Sequence, residues 1–215
     1  VYPKTPKADE GILVATSNEN YWTTSATDYK TVAITEKGCW SGNGAFNSPH
    51  TQQKDIWIHK AFVRKGNKYY YFVDGKITVE GNLTNPYEPF KYLILGGYYN
   101  ESWPFQGIIK EAKVWNEARY DAEFIPEKPP FLYSIDTDGL VSYLKFDDSL
   151  NVTKDELDTD WTKIGAPVFD SYSLSGKLAY YNGTSNSGLH KNLPVTLNKD
   201  WTMECWVYDT TGDTS

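Results

Sequence analysis

The chain has 215 residues and a formal net charge of −7. That balance argues against a nucleic-acid partner, because phosphate binding needs clustered Lys and Arg, and no apolar run approaches the roughly twenty residues of a membrane span. Aromatic residues make up 16% of the chain, with 17 Tyr and 8 Trp, which favours pleated structure and surface recognition, and the length suits one sizeable β core.

Residues 1–10, VYPKTPKADE, read as an extended Pro- and Lys-rich arm, and Val1 in place of Met gives the look of a processed or fragmentary chain. GILVAT follows as a short apolar strand. Between Tyr21 and Trp40 aromatic and β-branched residues recur among Thr and Ser. SGNGAFNSPH is then a loop marked by Gly, Asn and Pro, and its His50 reads as a plain loop residue.

From Trp57 to Asn116 the pattern sharpens. Trp57, His59, Ala61 and Val63 alternate with Ile58, Lys60, Phe62 and Arg64, the two-residue period of a strand with distinct faces. Lys65-Gly66-Asn67 supplies a turn, YYYFV returns, and Asp74-Gly75 closes a second hairpin. KYLILGG and GIIKEAKVWN add two further strands.

This stretch (W-x-H-x-A-F-V, Y-x-F-V-D-G-K, an apolar strand ending L-G-G, then F-x-G-I-I-x-E-A-x-V-W-N-x-A-R) resembles the C-terminal half of a laminin-G-like domain in the concanavalin A-like lectin/glucanase superfamily. The resemblance implies an all-β, antiparallel, two-sheet jelly-roll sandwich. It also implies extracellular or surface recognition more often than catalysis.

NEARYDAEFI is the one segment with a helical pattern, and a short helix is expected at 117–125 with Ala118, Ala122 and Phe124 inward. Residues 126–130 form a Pro-rich linker. Beyond it, GLVSYLKFDDS resembles the family's first strand and TMECWV a later one, with Trp201, Met203, Cys205 and Val207 on one face and Thr202, Glu204, Trp206 and Tyr208 on the other. Residues 11–125 thus resemble the middle and end of the domain, and residues 131–215 its beginning, in inverted order. Three arrangements could complete the sandwich: closure within one chain, strand exchange between subunits, or a longer tandem array. The semi-rigid linker favours exchange in a homo-oligomer or head-to-tail assembly, with the arm lying against a neighbour.

Sugar stacking calls for aromatic faces beside polar groups, and loop 98–106 offers Tyr99 and Trp103 with Asn100 and Glu101. The same loop could instead plug the sandwich edge with Trp103 and Phe105. Trp22 and Trp40 are weaker platforms. Sequons at Asn82, Asn100, Asn151 and Asn182 are candidate glycosylation sites or ordinary polar turns. Cys39 and Cys205 are either a disulfide or two buried thiols.

No catalytic constellation stands out. The carboxylates of DELDTD, among them Glu156, Asp158 and Asp160, read as a solvated loop rather than a glycosidase pair. His59 reads as structural. No Cys or His pair has zinc spacing, and no cofactor is expected. Relatives carry a structural calcium near the Phe-Asp loop; this chain keeps Asp147, Asp148 and Glu111 but has Lys110 where a late Asp is expected, and an ammonium there repels a cation, so the alternatives are that calcium or a Lys110 salt bridge to Asp147 or Asp148 in its place. Asp136 with Asp138, or the acidic run from Asp155, are the other calcium candidates. The reading is a non-catalytic extracellular or virion-surface structural or adhesive module. A carbohydrate-binding lectin is the alternative, and a glycoside hydrolase a more distant one.

Overall fold

In a computed structural model of the chain, the alternation seen in the sequence becomes fourteen strands among the described residues: β1 (Gly11–Thr16), β2 (Thr31–Thr35), β3 (Cys39–Ser41), β4 (Trp57–Lys65), β5 (Lys68–Val73), β6 (Lys76–Asn82), β7 (Phe90–Leu95), β8 (Gln106–Trp115), β9 (Leu140–Leu144), β10 (Thr162–Ile164), β11 (Val168–Asp170), β12 (Leu178–Asn182), β13 (Gly188–Leu197) and β14 (Trp201–Asp209). The structure describes residues 11–17, 31–41, 56–82, 89–97, 105–127, 136–146, 153–157, 160–164, 168–170, 178–182 and 188–209. Six strands form one antiparallel sheet in the order β10-β13-β7-β1-β2-β3. The other eight form a second in the order β11-β12-β8-β14-β4-β5-β6, with β9 sharing an edge of β8 with β12. This is the two-sheet sandwich expected of a jelly roll.

One face of each sheet is turned to a shared core. Ile58 and Phe62 of β4, Trp201, Met203, Cys205 and Val207 of β14, and Ile12, Leu13, Leu93 and Leu95 of β1 and β7 are all buried in it. Edge-to-face packing of Phe62 on Trp201, 5.3 Å between centroids, fills the middle. Lys60 also points inward, with Nζ donating to the carbonyls of Thr35 (2.7 Å) and Glu36 (2.5 Å) on the opposite sheet. A buried ammonium is tolerated because those carbonyls replace its water.

The halves on either side of residues 126–130 complete each other. β14 lies between β8 and β4, β13 pairs with β7, and β9 and β12 pair with β8, so one chain closes both sheets with its own strands. At the end of the sandwich called upper here, Gly96 N donates to Ile12 O, Phe105 N to Gly96 O, Gly107 sits opposite Asp209, and Tyr208 opposite Trp57.

The expected helix at 117–125 does not form. Its backbone donors are spent on the sheet instead: Arg119 N donates to Thr202 Oγ1 and Phe124 N to Gly75 O, both at 2.9 Å. Ala118, Tyr120 and Phe124 lie on the outer face of the eight-stranded sheet, over Ala61, Val63, Tyr70 and Phe72. The segment approaches so closely that a Cβ on Gly75, at φ 74°, would run into the Phe124 carbonyl.

Candidate functional site

The strap formed by residues 116–127 buries an outer sheet face that would otherwise meet water. From β4 this face presents His59, from β14 Glu204 and Trp206, and from β8 Lys110, Lys113 and Trp115, every one of them buried. A bulge in β8 sets their spacing: the register slips between Cys205 and Trp206, and Glu111 takes φ 54°, rare for a residue with a Cβ. Glu111 is thereby placed beside Lys113.

An ionic chain follows. Lys113 Nζ lies 3.1 Å from Glu111 Oε2 and 3.8 Å from Glu204 Oε1. Glu204 Oε2 accepts from the Tyr120 hydroxyl at 2.9 Å and lies 3.5 Å from His59 Nε2. Burial pushes the Glu204 carboxyl up, but His59, Lys113 and Tyr120 more than reverse it and hold it below the usual carboxylate range. For Glu111 burial wins over Lys113, and its carboxyl sits above that range. Burial, followed by the charge of Glu204, drives the Tyr120 phenol far up, so it remains a donor at any ordinary pH.

Beneath the strap is a cavity of about 270 Å³, lined by His59, Lys113, Trp115, Arg119, Glu204 and Trp206 together with Tyr120, Phe124 and the strap's end. Trp206 meets His59 edge-on at 5.2 Å, Tyr120 stacks on Phe124 at 3.7 Å, and the Arg119 guanidinium lies 5.7 Å from the Trp115 ring centroid. Arg119 is itself paired with Glu117 (2.7 Å) and Asp136 (3.0 Å). Two polar atoms in this lining are buried without a hydrogen-bond partner: His59 Nδ1 and Trp115 Nε1.

The residues singled out from sequence fare differently. Tyr99, Asn100, Glu101 and Trp103 lie outside the described residues, as do Trp22, His50, Asp147, Asp148, Asn151 and Asp158. Phe105 is fully buried at the upper end, and Trp40 is half-buried on β3. Asn82 is exposed at the end of β6, and Asn182 ends β12. Cys39 and Cys205 are free thiols buried in the common core, and burial raises the Cys205 thiol to about 12. Lys110 faces outward beside Trp206, and Asp136 accepts from Asp138 N while pairing with Arg119. Among the described residues no three metal-binding side chains gather.

The solvated reading of the acidic run needs correction at Asp155. Its carboxylate is buried and accepts from Ser142 Oγ (2.6 Å), Tyr143 N (3.2 Å), Leu157 N (3.0 Å) and Trp161 Nε1 (3.2 Å), with Lys191 Nζ 2.7 Å away. Glu156 does stay exposed, 3.7 Å from Lys154. In the sequence His59 reads as merely structural, and Trp115 and Lys113 carry no functional mark. The available signal is that His59, Glu204 and Lys113 all fall on the outward parity of their strands.

No curated protein and no solved structure matches the chain. A laminin G family profile described as concanavalin A-like lectin/glucanases superfamily matches residues 1–124, more than half of the sequence. With the two-sheet sandwich and that match in hand, the chain belongs to the laminin G-like family of the concanavalin A-like lectin/glucanases superfamily.

Proposed function

We propose that this chain is a non-catalytic, extracellular recognition module of adhesive kind, and that the cavity under the strap takes one ring of a neutral glycan. The superfamily supports a lectin or adhesive module, and laminin G-like domains are often extracellular. The observation that carries the ligand class is the pair of orphaned atoms. With Nε2 facing the Glu204 carboxylate, His59 Nδ1 is left without a partner, and the Trp115 indole N–H can only donate. Neighbouring hydroxyls of a sugar supply a donor and an acceptor at once. The aromatic walls suit a pyranose face, and the cavity lies just below the roughly 300–1,000 Å³ common for drug-sized ligand sites, a size that suits one ring.

The Lys113, Glu204, Arg119 and Asp136 charges of the lining are already paired, which favours an uncharged ligand. The same pairing argues against hydrolysis. A retaining glycosidase needs two carboxyls about 5 Å apart facing the scissile bond; here Glu204 is engaged by His59, Tyr120 and Lys113, and Glu111 does not line the cavity. A calorimetric screen of neutral mono- and disaccharides is expected to give binding at millimolar concentration or tighter, and Trp115→Phe is expected to weaken it about 5–10-fold, the worth of one hydrogen bond. Failure of every saccharide to bind, an unchanged affinity in the variant, or turnover of a bound glycoside would each overturn the reading.

A further inference from the structure

The cavity under the strap has a neighbour. A groove of about 730 Å³ lies beside it on the same outer face, and Phe124, Ile125, Pro126 and Trp206 line both, so the two meet along one wall. What the groove adds is Trp57, with Asp74, Lys76 and Glu123 around it. Ile125, on the common wall, is 92% exposed, the most exposed large apolar side chain among the described residues.

We propose that cavity and groove form one extended site, in which the cavity takes one ring of a neutral oligosaccharide and the groove takes the next, stacked on Trp57. This rests on the glycan reading of the cavity and names its ligand more closely, as a chain of at least two rings. Strand order carries the argument. Lys113 and Trp115 of β8 and Glu204 of β14 belong to the cavity, whereas Trp57 of β4 and Asp74, in the turn between β5 and β6, belong to the groove. From β8 across β14 and β4 to β5 is three strand spacings, about 14 Å. A single pyranose does not span that width; two linked rings do.

The groove meets the needs of a second ring. Trp57 shares the outward parity of His59, is half-buried, and is packed by Tyr208 at 5.5 Å, so the indole is held in place while part of it still meets solvent. Around it, exposed Lys76 can donate to sugar hydroxyls, and exposed Asp74 and Glu123 can accept from them. Two carboxylates against one ammonium disfavour an anionic sugar, so the second ring is neutral like the first. The groove is also fixed to the cavity: Asp74 Oδ1 accepts from His59 N, and Phe124 N donates to Gly75 O, both at 2.9 Å. A site tied together in this way loses little entropy when a ligand bridges it.

The test is calorimetric and compares each single ring with its own disaccharide: glucose with maltose and cellobiose, mannose with mannobiose, N-acetylglucosamine with chitobiose. At least one disaccharide is expected to bind about 10-fold tighter than its monosaccharide. Trp57 does not line the cavity, so Trp57→Ala should erase that gain and bring the disaccharide down to the affinity of the single ring. Glu123→Ala, at an exposed position that folding does not depend on, should reduce the gain about 3-fold, the worth of one weak hydrogen bond. Trp115→Phe, in the cavity, should weaken one ring and two by the same factor. Equal affinities for one ring and two, or a gain untouched by Trp57→Ala or by Glu123→Ala, would overturn the extended site and leave the one-ring reading standing. If no saccharide binds at all, both fall.

Discussion

Asp155 and Glu204 are both buried carboxylates facing a lysine, yet they stand in opposite relation to their surroundings. Asp155 bridges the two sheets: Ser142 and Tyr143 belong to β9, Lys191 to β13, and four hydrogen bonds with one ion pair use up its lone pairs. The Trp161 indole beside it has its acceptor. Glu204 sits on the outer face, where the same kind of pairing borders a cavity and leaves the His59 Nδ1 and Trp115 Nε1 atoms unserved. A folded chain normally satisfies its buried polar groups; the Asp155 carboxylate is satisfied on every side, with Lys191 Nζ held by the ion pair alone, whereas the unserved atoms beside Glu204 border a cavity that a ligand can enter.

That contrast can be broken most forcefully at Asp155. Asp155→Asn leaves Lys191 buried without a counter-charge, and urea unfolding is expected to show a loss of about 3–5 kcal/mol. Burial alone would raise the Asp155 carboxyl, but Lys191, Ser142 and Leu157 N lower it further, to a net position below the usual range. Its contribution is therefore present above the ordinary carboxylate range and lost as pH falls through the depressed folded value. The variant should flatten the acid limb of the stability profile. An acid limb unchanged by the substitution would show that Asp155 is not the hub described.

A finer test compares two tryptophans. Trp161→Phe removes a donor that Asp155 uses and is expected to cost about 1 kcal/mol. Trp115→Phe removes a donor that nothing uses, keeps a ring for Arg119 to lie on, and is expected to leave stability unchanged or slightly higher, even as it weakens glycan binding. Equal losses in the two variants would erase the distinction between the clusters.

The smallest effect belongs to Glu111. Burial raises its carboxyl against the partial relief given by Lys113, so its charge costs stability above the raised folded pKa and nothing below the unfolded one. Glu111→Gln, with Lys113 still beside Glu204, is expected to stabilise the chain slightly at neutral pH, as urea unfolding would read it. The gain should vanish in acid; a gain that persists there would assign the effect to packing instead of charge.

Much of the fold was legible because the signals are local. The alternation through Trp57–Arg64 marks β4, Asp74-Gly75 marks the hairpin between β5 and β6, and the two faces of TMECWV put Glu204 outward by strand parity alone. The strap misled for a physical reason: Ala118, Tyr120 and Phe124 do carry an apolar face, but a sheet offering free acceptors at Gly75 and Thr202 outcompetes the helix's own carbonyls. DELDTD misled because a run of carboxylates is ordinarily solvated, and nothing near it in sequence announces Lys191.

By itself, then, the sequence determined the strand period, the turns, the laminin G-like motif and the parity that sorts each side chain inward or outward, all properties of neighbouring residues. Which outward residues meet was decided only by tertiary structure. His59, Lys113, Trp115 and Glu204 come from three strands, and their contact depends on β14 lying between β4 and β8, on the one-residue slip at Glu111, and on a strap that excludes water above them. Register and desolvation are set by partners distant in the chain, and a side chain's own neighbours in sequence carry no record of them.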